Sequence, residues 1–229
     1  MALPEPSQPT TLVLVRHGVT AHTTERRFSG GLAGHNPGLS EEGRAQVKET
    51  AEWLLPLAGQ VGSMISSPVL RTRESADIVA DVLGVPVVED PAFAEMDFGV
   101  WEGMTFDEVA EHHRSELEEW LGQLDRVPGG GLGESFRSVE ERVLGRLHPV
   151  LEEHEGNTLV VVSHVTPIKV MVAHAMGAPL EALFRMELAP ASVTVLSFYP
   201  QPDRAPHPSL RMFNGVPPGR PAFLEPRPW

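Results

Sequence analysis

An arginine, a histidine and a glycine, Arg16-His17-Gly18, close the first apolar run of the chain, Thr11-Leu12-Val13-Leu14-Val15. A neutral imidazole is a nucleophile, and a guanidinium is a fixed cation with a planar fork of donors. Side by side they suit attack on an anionic, phosphoryl-like centre. A second apolar run, Thr158-Leu159-Val160-Val161-Val162-Ser163, ends in His164 in the same way. Arg71 follows the turn Ser66-Ser67-Pro68, and Glu95 opens the loop Glu95-Met96-Asp97-Phe98-Gly99-Val100-Trp101-Glu102-Gly103. Each group stands near a predicted strand end or turn, where open α/β sheets carry their ligand sites.

Blander roles compete for some of these residues. Arg71 could pair with Glu74 or Asp77 on a helix surface. Asp97 and Glu102 rival Glu95, although short carboxylates in loops more often hold backbone N–H groups. His112-His113 invites a metal assignment, but adjacent helical residues do not share a face. His22 and His35 fall in loops that could line a pocket, while Met171 and Met176 read as core and Arg73 as surface. Trp101 and Phe98 are expected to pack beneath the Glu95 loop.

The elements that must position these groups follow from hydrophobic period and from breakers. Short apolar runs predict strands over 11–15, 64–66, 85–88, 158–163, 193–199 and 209–213. Ser40, followed by Glu41 and Glu42, predicts a helix to about residue 57. Pro68 at a first helical position predicts a second, to about 83. Thr105 caps a predicted acidic helix through about 124; others cover 135 to 153 and the segment beginning at Pro167. Strands alternating with helices imply an α/β fold, a three-layer α/β/α sandwich around a mainly parallel sheet. Residues 1–10 read as a disordered Pro-rich leader, 11–215 as one domain and 216–229 as a Pro-rich tail. An exposed apolar edge strand over 193–199 would suit a homodimer.

Composition narrows the function. The chain has 229 residues, enough for one well-buried domain, and no cysteine, which removes disulfides, thiolate metal sites and cysteine nucleophiles together. Its first residues lack the basic and apolar parts of a secretory signal, and no apolar stretch approaches a membrane span, so a cytoplasmic location is expected. The formal net charge of −13 argues against nucleic acid as a partner. The same charge repels an anionic substrate, so a phosphate site needs a local concentration of cations and backbone N–H groups.

Arg16-His17-Gly18-Val19-Thr20, Arg27-Phe28-Ser29-Gly30 and Leu39-Ser40-Glu41-Glu42-Gly43, in that order, resemble the opening of the histidine phosphatase superfamily. The branch resembled holds cofactor-dependent phosphoglycerate mutases, fructose-2,6-bisphosphatases and alpha-ribazole phosphatases. Ser66-Ser67-Pro68-Val69-Leu70-Arg71, the Glu95 loop, Gly133-Glu134-Ser135-Phe136 and Val162-Ser163-His164 continue the match over residues 12 to about 164. Arg26-Arg27-Phe28-Ser29-Gly30, Ser163-His164-Val165-Thr166-Pro167-Ile168-Lys169 and Leu188-Ala189-Pro190-Ala191-Ser192 are most similar to bacterial acid phosphatase domains often fused behind a ribonuclease H domain. The Pro-rich leader would suit a linker in such a fusion.

The resemblance implies a phosphoglycerate mutase-like fold and assigns roles. His17 would be the nucleophile that takes the phosphoryl group, its other nitrogen held by a backbone carbonyl of the following loop. Arg16 and Arg71 would clamp the phosphate, and His164 would donate to the same oxygens, at least partly protonated with substrate bound. Glu95 would be the proton donor and later the base for water. Arg27, Thr20 and the backbone N–H of Val165 or Thr166 would complete substrate binding. No metal and no cofactor is implied, because arginines take the charge-neutralising place of Mg²⁺. Val19 stands where Glu or Gln is common, Thr23 where mutases have Asn, and Val165 where Gly often follows the histidine. The expected activity is hydrolysis of a small-molecule phosphomonoester through a phosphohistidine. A mutase-type phosphotransferase and a non-catalytic phosphate-binding protein are the alternatives. Specificity would come from the loop over 30–38, the segment over 102–133 and the C-terminal tail.

Overall fold

In the computed structural model, residues 8–32 and 35–220 are described. Most of the proposed leader, residues 33 and 34 of the Gly-rich loop, and the tail beyond 220 lie outside them. The elements run β1 (Thr10–Arg16), α1 (Ala21–Glu25), α2 (Glu41–Leu54), β2 (Val61–Ser66), α3 (Leu70–Leu83), β3 (Val87–Glu89), α4 (Phe106–His112), α5 (Arg114–Gly122), α6 (Phe136–Glu153), β4 (Thr158–Ser163), α7 (Val165–Ala175), β5 (Val193–Gln201) and β6 (Arg204–Gly215). The sheet order is β3-β2-β4-β1-β5-β6. The first four of these strands are parallel, and β5 and β6 are antiparallel to their neighbours.

The side-chain period of two along a strand divides the core. Leu12, Leu14, Leu159 and Val161 point to one face, where α6 and α7 supply Val143, Leu147, Ile168 and Met171. Val13, Val15, Val160 and Val162 point to the other, against Val47 and Ala51 of α2 and Val79 of α3. The alternation cannot slip by one residue without turning both sets to the wrong layer. Register therefore fixes what stands at the sheet edge. Arg16 pairs with Ser163, so the next residues, His17 and His164, leave their strands at one level. Ser66 pairs with Val162, and Ser67 N–H donates to the Val162 carbonyl, which brings the end of β2 to the same place. The chain sends α2 and α3 to one face and α6 and α7 to the other around these three strands, the switch point at which such sheets bind ligands.

Several expected boundaries move. Pro68 does not open α3: Val69 is its N-cap, and Ser67 and Pro68 form the turn before it. Likewise α7 starts at Val165 with His164 as N-cap, so Pro167 falls inside its first turn, where its missing N–H costs nothing. The acidic helix is two helices, because His113 leaves helical geometry (φ −134°, ψ 32°) between α4 and α5. The strand expected as an exposed edge is internal: β5 lies between β1 and β6, and Val193, Leu196 and Phe198 are buried. The dimer argument built on it lapses. Met176 is exposed, since α7 ends before it, whereas Met171 is core as expected. Arg73 is partly buried and paired with Glu89.

Candidate active site

His17 sits in the turn between β1 and α1 and is only 5% exposed. Its Nδ1 lies 2.7 Å from the Gly18 carbonyl oxygen. A carbonyl can only accept, so Nδ1 carries the hydrogen. On the other side of the ring, Arg71 Nε donates to Nε2 at 3.2 Å. Guanidinium groups do not accept, so Nε2 is the lone-pair nitrogen and two independent partners agree on the tautomer. Burial, then the charges of Arg71 and Arg16, hold this imidazole well below its ordinary range, so it is neutral at pH 7.

The Gly18 carbonyl is held by backbone packing rather than by the ring. A Cβ on Gly18 would collide with the Gly43 carbonyl oxygen, and one on Gly43 with the Val19 carbonyl oxygen. The two glycines let the β1 turn press against the first turn of α2, where Ser40 Oγ accepts from Gly43 N–H at 3.0 Å.

Arg71 enters from α3, almost wholly buried, and its Nη2 donates to the carbonyls of Ser29 (3.0 Å) and Gly30 (2.8 Å). Burial brings its pKa down to about 10, which still leaves it charged at neutral pH. The helix-surface alternative is excluded by this geometry. His164 lies with its ring centroid 5.2 Å from that of His17, at 60°. Its Nε2 is 2.8 Å from Ser67 Oγ. Burial and the charge of Arg71 hold His164 well below the usual imidazole range. Arg71 Nη1 and His164 Nδ1 are buried with no hydrogen-bond partner among the described residues. Such groups cost free energy unless a ligand satisfies them; Arg71 lines the cleft beside His17, and the His164 ring packs against the His17 ring. Arg16 reaches the same cleft while its Nη1 donates to the Leu188 carbonyl.

Glu95 is buried, with Oε1 accepting from Met96 N–H (2.9 Å) and Oε2 from Thr166 N–H (3.4 Å). The Thr166 N–H that was expected to meet substrate therefore meets this carboxyl. Val165 lines the cleft, as does Thr20. The Thr20 hydroxyl also caps α1 by accepting from Thr23 N–H at 3.2 Å. Arg27 is at the rim, joined to Glu25 (2.5 Å), to the Gly103 carbonyl (2.7 Å) and to Glu108 (3.5 Å). Asp97 accepts from Gly99 N–H (2.8 Å), and Glu102 from Gly30 and Phe98 N–H (2.9 and 3.1 Å), the backbone roles expected for them.

Two positioning residues, Ser67 and Arg142, had no signal strong enough to single them out, and Glu102 links more than was expected of it. Ser67 holds His164. Glu102 joins the Gly30 loop, whose carbonyl holds Arg71, to the Phe98 loop. Arg142, on α6, clamps Glu134 in bidentate fashion (2.9 and 2.8 Å) and donates to the carbonyls of Ala92 (2.9 Å) and Ala94 (3.1 Å), next to Glu95. From sequence, Arg142 is one more arginine in a charged helix. Ser67 could have been found, since it stands in the matched turn one residue from the end of β2.

The cleft opens into a cavity of about 360 Å³. Its lining holds five of the chain's 18 Lys and Arg residues (Arg16, Arg26, Arg27, Arg71, Lys169) and three of its 31 Asp and Glu residues (Glu25, Glu95, Asp107). The local balance is thus the reverse of the whole chain's, as an anion site on an acidic protein requires. Among the described residues, no three His, Asp or Glu side chains are grouped to hold a metal ion, and no helix is long and apolar enough to cross a membrane.

A neutral buried histidine, two arginines, a second histidine and a carboxyl gathered at one sheet edge suit phosphoryl transfer. The sequence model of the Histidine phosphatase superfamily (branch 1) matches residues 12–205, and the chain belongs to that family. The chain is 40% identical over 191 residues to the Bifunctional protein Rv2228c of Mycobacterium tuberculosis, covering 83% of this chain and 51% of that protein. It thus spans about half the length of such relatives. It is 33% identical over 185 residues to Phosphoserine phosphatase 1 of Hydrogenobacter thermophilus, covering 81% and 85% of the two chains. Among solved structures it is similar to a phosphoserine phosphatase mutant from Entamoeba histolytica in complex with phosphoserine. That match has a TM-score of 0.75 and 26% identity, over 90% of this chain and 96% of the other.

Proposed function

We propose that this protein is a metal-independent phosphomonoesterase that works through a phosphohistidine on His17. The observation that carries the reading is the double lock on the His17 ring, Nδ1–H to the Gly18 carbonyl and Nε2 toward Arg71, in a neutral, buried imidazole. Arg71 Nε turns its hydrogen from Nε2 to the bound phosphate, Nε2 attacks phosphorus, the ester P–O bond breaks, and the leaving alkoxide takes a proton from the Glu95 carboxyl. Arg16, Arg71 and His164 spread donors over the equatorial oxygens, where the transition state carries its charge. The Glu95 carboxylate then takes a proton from water as the oxygen attacks phosphorus, the N–P bond breaks, and inorganic phosphate leaves. The charge at the site is supplied by fixed guanidiniums, so no step calls for a metal.

His164 needs a hydrogen on Nδ1 to serve as a donor. In this reading Ser67 Oγ, which accepts from Val69 N–H at 3.4 Å, also donates its hydroxyl hydrogen to His164 Nε2. A neutral His164 held this way keeps its proton on Nδ1. The mutase alternative asks for a second anion site, and Arg27, one of the few spare cations, is already engaged by Glu25 and Glu108.

The test is release of inorganic phosphate from p-nitrophenyl phosphate in excess EDTA, with His17→Ala run alongside. EDTA-resistant release that vanishes in the variant is the expected result. Release that EDTA abolishes, or that His17→Ala retains, would overturn the reading.

A further inference from the structure

Beyond the phosphate cleft the cavity changes character. Phe28, Phe98, Phe106, Trp120, Phe136 and Phe184 all line it. They form one continuous wall: Phe28 meets Phe98 at 5.0 Å between ring centroids and stacks on Phe106 at 5.8 Å. Trp120 stacks on Phe136 at 4.9 Å, and Phe136 meets Phe184 edge-on at 5.1 Å. These rings come from four separate stretches, the loop after α1, the Glu95 loop with α4 and α5, the start of α6, and the segment after α7. Trp120 and Phe136 are buried in the hydrophobic core; Phe28, Phe98, Phe106 and Phe184 pack against that core but are only partly buried, and all six line the cavity. An apolar surface that opens directly onto a phosphate site is a recognition surface for whatever the phosphate is attached to.

Resting on the phosphatase reading above, we propose that the preferred substrate is a phosphomonoester whose alcohol carries an aromatic or similarly flat apolar body, bound against this wall. Size agrees, since a dry cavity of about 150 Å³ accepts a benzene ring and the cavity here measures about 360 Å³. Edge-to-face and stacked ring contacts with such a body would supply specificity on the leaving-group side.

The test holds leaving-group chemistry constant by comparing 2-phenylethyl phosphate with ethyl phosphate, both esters of primary alcohols, and adds phosphoserine. kcat/KM should favour 2-phenylethyl phosphate over ethyl phosphate by about thirty-fold, the worth of one buried ring, and over phosphoserine by at least as much. Phe184→Ala and Phe106→Ala, each checked for a native thermal transition, should lower the phenylethyl-to-ethyl ratio several-fold. Equal use of the two alkyl esters, preference for phosphoserine, or an unchanged ratio in both folded variants would overturn the aromatic assignment while the phosphatase reading stands. Turnover of none of the three esters, together with none of p-nitrophenyl phosphate, would overturn both.

Discussion

The ends of β1 and β4 begin alike and finish differently. Both strands are buried, parallel and paired residue for residue up to Arg16 and Ser163, and both hand the chain to a histidine. After β1 a glycine follows, and the Gly18 carbonyl takes the Nδ1 hydrogen of His17, so Nε2 keeps the lone pair, which accepts from Arg71. After β4 a β-branched residue follows and a helix starts at once; His164 Nε2 meets Ser67 Oγ, which leaves Nδ1 without a hydrogen-bond partner among the described residues. In the proposed mechanism, equivalent places in the sheet thus supply a nucleophile and a hydrogen-bond donor. The difference is made by which ring nitrogen the neighbouring backbone or hydroxyl has claimed, not by the strand or the residue type.

Removing each ring in turn is the strongest way to break this comparison. His17→Ala should lower phosphate release by about ten-thousand-fold or more, because the nucleophile itself is gone. His164→Ala should lower it by roughly a hundred- to a thousand-fold, the usual cost of one donor to transition-state charge. Steady-state kcat/KM on one ester measures both, and equal losses would mean that the two rings do not differ in role.

Ser67→Ala sharpens the contrast without removing a ring. A lost buried hydrogen bond is worth about 1–1.5 kcal/mol, so kcat/KM should fall by about ten-fold near neutral pH. The loss should shrink as pH falls, since a protonated His164 donates from both nitrogens and no longer needs its tautomer chosen. A purely structural defect would lower the whole profile evenly.

The smallest effect is on stability. The folded-state pKa of His17 and of His164 is depressed, so the unfolded chain binds more protons in acid and stability falls as pH drops through the unfolded value near 6.5. Each ring that stays neutral should withdraw about 1.4 kcal/mol between pH 7.5 and 5.5. Urea unfolding at the two pH values should show this loss, and His17→Ala should show it reduced by one ring's share.

Much of this was legible in the sequence because it lies in short runs with fixed partners. The alternation Leu12, Val13, Leu14, Val15 predicts a strand buried on both faces, and the strand's end places Arg16 and His17 without further information. The family motifs then carry Arg71, Glu95 and His164. What the sequence hid depends on long-range register and packing. Val193 to Tyr199 reads as an edge strand because antiparallel partners on both sides leave no local trace, and β6 covers it. The break at His113 and the late start of α3 at Leu70 are backbone choices set by tertiary contacts that propensity does not encode. Arg142 matters because α6 crosses beside the Ala92 and Ala94 carbonyls, a proximity no spacing within the helix announces.

The central claim is that only one of the two rings takes the phosphoryl group. Alkaline quenching of the protein during turnover, followed by peptide mass spectrometry, tests it directly. One added phosphoryl group on the His17 peptide is predicted, present in the unmodified chain and in His164→Ala and absent in His17→Ala. A phosphoryl group on His164 instead, or turnover surviving in His17→Ala with no phosphohistidine formed, would contradict the account.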